Sequence, residues 1–87
     1  MVLEYFKSDD PAPIYRRFRE KGRMMPEGLG YVASWIDEDM RRCFQLMETD
    51  DENLLRTWIA KWDDIVDFEY LPVITSAEMV EKMAPKL

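Results

Sequence analysis

The chain has 87 residues, 47% of them hydrophobic, with one cysteine, no histidine and a formal net charge of -6. That length makes one domain with a core near the lower limit for independent stability, so a partner surface is expected to help hold it. The acidic balance argues against a nucleic-acid or anionic-membrane binder, the lone Cys43 excludes an intrachain disulfide and a cysteine-cluster metal site, and the lack of His removes the commonest metal ligand and general base. No apolar run approaches the roughly 20 residues that span a bilayer, and the N-terminus has no basic segment followed by an apolar core. A soluble, cytoplasmic protein with no metal or cofactor is the expectation.

Val2-Leu-Glu-Tyr-Phe6 reads as a strand with Val2, Glu4 and Phe6 on one face and Leu3 and Tyr5 on the other. Asp10 is a good N-cap and Pro11 suits the first helical position, where a missing N–H costs nothing. The helix that follows runs to Gly22. Ile14, Tyr15 and Phe18 form its apolar stripe, Gly22 closes it, and Arg19, Lys21 and Arg23 suit the negative end of its dipole. A loop from Gly22 to Gly30 leads to two β-rich runs, Tyr31 to Ile36 and Cys43 to Met47, joined by the polar reversal Asp37-Glu-Asp39 as a hairpin.

Thr49-Asp-Asp-Glu52 then has the form of a capping box, in which the Thr hydroxyl and Glu carboxylate each satisfy a free backbone N–H. Leu54, Leu55, Trp58, Ile59 and Trp62 recur at spacings of three and four, which predicts a helix with one broad apolar face. Residues 65–74 form the last strand, and its Pro72 cannot donate to a ladder, so this strand belongs at a sheet edge. Ser76 caps a short final helix with Met79, Val80 and Met83 on one side before Ala84-Pro85 stops it. That helix has too little apolar surface to be stable unless it docks. The division is a domain over residues 1–75 and a helical tail over 76–87.

The order β-α-β-β-α-β folds, by the right-handed crossover rule, into a four-stranded antiparallel sheet with both helices on one face. This is the ferredoxin-like α+β arrangement, with strand order 4-1-3-2 and the fourth strand at an edge. The strands carry apolar groups on both sides, for example Tyr31 and Trp35 opposite Val32 and Ile36, whereas a half-solvated sheet alternates apolar with polar. A bare apolar face predicts a second subunit packed sheet to sheet against it, making a homodimer.

The run Tyr15-Arg-Arg-Phe-Arg-Glu-Lys-Gly22, then Pro26-Glu-Gly-Leu29, Tyr31-Val-Ala-Ser-Trp35, Cys43-Phe-Gln-Leu-Met-Glu-Thr-Asp-Asp51, Val66-Asp-Phe-Glu69, Pro72-Val73 and Thr75-Ser-Ala-Glu78 resembles a family of small uncharacterised bacterial proteins. The similarity spans nearly the whole chain. It implies membership of the dimeric α/β-barrel group, in which two ferredoxin-like sheets close into a barrel and whose members include cofactor-independent monooxygenases, haem-degrading enzymes, isomerases, dehydratases and ligand sensors. The family itself has no assigned activity, and the motifs transfer no catalytic residue.

A barrel interior is expected to hold the polar groups that break the apolar pattern: Glu4, Cys43, Gln45 and Glu69. Leu3, Tyr5, Phe44, Leu46, Phe68 and Tyr70 then face the helices. With Trp35 beside Arg41 and Ala33 beside Cys43, Tyr31 and Trp35 join the interior; a one-residue slip replaces them with Val32, Ser34 and Ile36. The first register is preferred, and the candidate ligand site is Glu4, Tyr31, Trp35, Cys43, Gln45 and Glu69.

An enclosed Glu4 or Glu69 has a raised pKa and can exchange a proton with a small ligand held by Trp35 and Tyr31. The plainer reading, a carboxylate paired with Arg41 or Arg42 across the dimer or sitting at a wet barrel mouth, is preferred. Cys43 reads as a small buried hydrophobe, since no His stands ready to make it a thiolate. Arg16, Arg17, Arg19, Lys21 and Arg23 read as the solvated face of the first helix. Trp58 and Trp62 read as core, leaving only Trp35 as a ligand platform.

Three functions fit this pattern. The first is a barrel cavity that binds a small apolar or weakly acidic molecule. The second is a cofactor-independent monooxygenase- or isomerase-like enzyme with an enclosed carboxylate. The third is a structural interaction module with a filled barrel.

Overall fold

Alternation along the first strand decides the architecture. In the computed structural model, which describes residues 1–87, β1 (Val2–Phe6) turns Val2 and Glu4 to a buried face and leaves Leu3 and Tyr5 on the other. β1 is antiparallel to both β3 (Arg42–Glu48) and β4 (Val66–Tyr70), and β3 pairs with β2 (Gly30–Ile36), giving one sheet in the order β2-β3-β1-β4. Helix α1 (Ala12–Lys21) joins β1 to β2, α2 (Glu52–Ile59) joins β3 to β4, and α3 (Ser76–Met83) with a short 3-10 turn ends the chain. The fold is α+β and ferredoxin-like, in the predicted strand order.

The core lies on the Val2 face. Leu29, Leu55, Trp58 and Trp62 are buried with Val2, and Ile14, Met47, Leu54, Ile59, Phe68 and Tyr70 pack around them. α2 contributes most because its three- and four-residue spacing brings Leu55 and Trp58 onto one face, and the Trp58 ring meets Phe68 edge-on at 5.5 Å. α1 contributes little, with no buried residue. Of its expected stripe only Ile14 packs on the core, while Tyr15 and Phe18 remain 49% and 40% exposed.

The caps follow side-chain chemistry more closely than position. Pro11, not the expected Asp10, is the N-cap of α1, although the Asp10 carboxylate still accepts the Ala12 N–H at 3.0 Å, and Gly22, at φ 67°, gives its N–H to the Phe18 carbonyl at 2.7 Å. α2 begins two residues after the expected Thr49 box boundary opens, because the Asp51 carboxylate takes the Asn53 N–H at 2.9 Å. The Thr49 hydroxyl instead accepts from Asp51 N–H at 3.1 Å. Half of a capping box is found at α3, where the hydroxyl of Thr75, one residue before the expected Ser76, accepts the Glu78 N–H at 3.0 Å and donates to the Glu78 carboxylate at 3.3 Å. β4 is an edge strand as expected but ends at Tyr70, so Pro72 lies outside the ladder.

α1 is held by polar contacts where apolar ones are scarce. Arg17 grips the Asp64 carboxylate with two N–H groups at 2.8 and 2.7 Å and reaches the Lys61 carbonyl at 3.1 Å. The pair holds the Asp64 carboxyl down at about 2. Trp58→Ala removes the largest core side chain of α2 and should cost about 3–5 kcal/mol, enough to unfold most of a domain this small at room temperature. Trp58→Phe keeps an aromatic ring in place of the larger indole and loses the hydrogen bond to the Arg23 carbonyl, so its cost should be about 1–2 kcal/mol. Urea unfolding followed by far-UV circular dichroism checks the ordering.

Candidate functional site

Register sets the chemistry of the helix-facing surface. β1 and β3 pair Glu4 with Cys43 and Val2 with Gln45, so the alternation that buries Val2 also carries Glu4, Cys43 and Gln45 inward beneath the helices. β2 pairs Ile36 with Cys43 and Ser34 with Gln45, extending the row sideways. A bulge at Val32 shifts the ladder by one residue, which returns Tyr31, opposite Met47, to the same side. The Tyr31 hydroxyl lies 2.7 Å from the Ser34 hydroxyl, and Gln45 Nε2 donates to the Met47 sulfur at 3.2 Å.

The cover over this polar row comes from α1 and the loop behind it. The Arg23 guanidinium stacks on Tyr31 at 3.7 Å and on Phe18 at 4.9 Å from the ring centres, a cation held between two π faces. No ion pair includes Arg23 or Glu4. Glu4 is 8% exposed, and burial pushes its carboxyl above the ordinary value of 4.5, with the Cys43 thiol and the Arg23 charge pulling it partly back. Burial, and then Glu4 itself, pushes the Cys43 thiol up to about 12. Cys43 is therefore a neutral thiol, as read from the sequence. Burial also raises the Tyr15 hydroxyl, with Cys43 and Glu4 adding to it, so Tyr15 belongs to the same neighbourhood.

The six sequence-selected residues do not share one surface. Glu4, Tyr31, Cys43 and Gln45 come together on the helix side. Trp35 and Glu69 lie on the opposite face, where Trp35 pairs with Phe44 and stands 55% exposed, and Glu69 accepts from the Tyr5 hydroxyl at 2.8 Å. The expected helix-facing set is corrected in the same way: Phe68 and Tyr70 do face the helices, but Leu3, Tyr5, Phe44 and Leu46 do not. The reason is the pairing of Glu4 with Phe68, which makes Phe68 and Glu4 share a face.

The preferred hairpin register is also replaced. Trp35 stands beside Phe44 and not Arg41, and Ala33 beside Leu46 and not Cys43. The loop is longer than Asp37-Glu-Asp39, because the Asp37 carboxylate gathers the N–H groups of Arg41 at 3.0 Å and Arg42 at 3.2 Å while Met40 adopts a positive φ of 57°. Sequence reasoning also missed Arg23, which it reads among the solvated basic residues, and Tyr15 and Phe18, which it reads as the apolar stripe of α1. A groove of about 1030 Å³ lies elsewhere, between the sheet end and residues 71–78, and includes none of the polar row. No group of residues has a metal-holding arrangement, and no helix is long and apolar enough to cross a membrane.

Glu4 makes a pH prediction. The folded protein holds the Glu4 proton more tightly than the unfolded chain, so the neutral acid's stability is complete below the ordinary 4.5 and is lost as pH rises through the folded value. Glu4→Gln should match the wild type at pH 4 and exceed it in stability at pH 8. A variant less stable than wild type at pH 8, by urea midpoint, would mean that Glu4 is held as a paired ion.

The model of one protein family, described as a domain of unknown function (DUF3303), matches residues 1–87. No curated protein and no solved structure matches the chain.

Proposed function

The chain belongs to the DUF3303 family, and from its own geometry we propose that it is a homodimeric binding protein for a small apolar or weakly acidic molecule, held on the helix side of the sheet. One observation carries this reading: the buried Glu4 carboxyl and the Arg23 guanidinium share one neighbourhood, and neither has an ion-pair partner. A guanidinium offers five N–H donors and no acceptor. Held between the Tyr31 and Phe18 rings, Arg23 suits the anionic oxygen of a weak acid, while the aromatic faces suit its apolar body. Burial, which raises the Glu4 pKa, favours the protonated carboxyl that would donate to such an oxygen in place of repelling it.

The expected barrel interior is replaced by this helix-side location, and the open sheet face takes the other role. Leu3, Tyr5, Phe44, Leu46 and Trp35 lie there with no element of the chain across them. An apolar patch of this kind, with Arg42, Asp67 and Glu69 beside it, supports a second copy packed sheet to sheet. The enzyme reading, monooxygenase- or isomerase-like, would use the same Glu4, since a carboxyl with a raised pKa is suited to acid–base work near neutrality.

The test is a thermal-shift and calorimetric screen with phenol, 2-naphthol, benzoate and cinnamate. At least one is expected to stabilise the wild type, with affinity falling at least tenfold in Arg23→Gln and changing its pH dependence in Glu4→Gln. Binding that Arg23→Gln leaves unchanged contradicts the site. Product formed from a bound probe would favour the enzyme. Light scattering should report twice the 10.4 kDa chain mass, and Phe44→Glu should give a folded monomer.

A further inference from the structure

The segment from Leu71 to Leu87 is the least buried part of the chain: every residue in it is exposed except the half-buried Met83. Its root is fixed. The Met1 ammonium donates to the Leu71 carbonyl at 2.8 Å, and the Leu71 N–H to the Met1 carbonyl at 3.0 Å. Beyond that point the arm leaves the body, and the Cα radius of gyration reaches 15.2 Å with extents of 49 × 31 × 17 Å. A compact chain of this length has a radius of about 12 Å.

The arm nevertheless carries the marks of a docking element. Thr75 and Glu78 cap α3, and Met79, Val80 and Met83 line one side of it. A helix of eight residues does not hold its shape in water by itself, and a cap supplies only about 1 kcal/mol. The apolar stripe needs a cover. The helix side of the sheet already has α1 and α2, which leaves the open face, and the arm root lies at the sheet end where the two faces meet: Leu71, Val73 and Ile74 share one groove with Leu46 of the open face and with Val2 and Leu55 of the helix side.

Area identifies the occupant. The chain exposes 6426 Å², about 1000 Å² more than a compact monomer of 10.4 kDa, and a stable interface takes about 800 Å² of accessible surface from each partner. The excess matches one partner's share. Much of the exposed apolar surface lies in the arm, at Leu71, Val73, Ile74, Met79 and Val80.

We propose that the arm is the second half of the dimer interface, with α3 of each chain packing through Met79, Val80 and Met83 onto the second copy that lies on the open sheet face. The two arms are exchanged reciprocally about the twofold axis. The inference rests on the sheet-face dimer proposed above.

Sedimentation equilibrium on the full chain and on its Met79→Glu/Val80→Glu variant tests it. Both side chains are exposed in the single chain, so the variant should keep the wild-type circular dichroism and Trp fluorescence while its dimer dissociation constant rises at least tenfold. In dimers mixed from ¹⁴N and ¹⁵N chains, amine cross-links from Lys82 and Lys86 should join chains of different isotope. A dimer unchanged by the double variant, or cross-links confined to one chain, overturns the arm exchange and leaves the sheet-face dimer standing. A full chain that sediments as a monomer overturns both.

Discussion

Two indole N–H groups converge on one main-chain carbonyl, that of Arg23, from Trp58 at 2.8 Å and Trp62 at 3.1 Å. Much of the helix side depends on that bond pair. It anchors the loop between α1 and β2 to the well-buried α2 layer, and Lys61 Nζ reinforces it by reaching the Met24 carbonyl at 2.9 Å. Each such bond is worth about 1 kcal/mol, modest alone, but together they fix the backbone from which the Arg23 side chain reaches over Tyr31 and Phe18. α1 has no buried residue of its own, so its position is set by these polar ties and by Arg17 on Asp64 more than by burial. The side chains that cover Glu4 are thus placed by residues more than thirty positions away in the chain.

The two halves of the helix side differ in kind. Over β4 the sheet offers Val66, Phe68 and Tyr70 to α2, an apolar surface against an apolar helix face. Over β1, β3 and β2 it offers Glu4, Cys43 and Gln45 to a helix whose aromatic residues stay half in water. A buried carboxylate costs stability unless it is paired, and no ion pair includes Glu4, so burial raises its pKa. Sites that break the local rule of apolar groups inward are where function is to be sought. The opposite face breaks the reverse rule, with apolar groups directed outward.

Much of the element order was legible because each signal was local. Asp10 and Gly22 bracket α1 as their chemistry requires, the spacing of Leu55, Trp58 and Trp62 identified the core of α2, and the strand order followed from connection rules. The faces were not legible. Strands that are apolar on both sides carry no pattern that says which side is covered, so the polar residues were assigned outward as a set. The pairing of Glu4 with Phe68 decides the matter, and it depends on strand register across more than sixty residues. Tyr31 rejoined Cys43 only through the bulge at Val32, which no turn residue announces. Arg23 was indistinguishable from its solvated basic neighbours until the loop placed it on two rings.

The central claim is that Glu4 lies enclosed on the helix side near Arg23, with its pKa raised by burial. A ¹³C NMR titration of the Glu4 carboxyl tests it most directly, in the full chain with Glu4→Gln used to assign the resonance. The account predicts a midpoint above the ordinary 4.5, with the Tyr31 and Tyr15 ring resonances shifting in the same transition. A Glu4 midpoint at or below 4.5, like that of an exposed or ion-paired carboxylate, would contradict it.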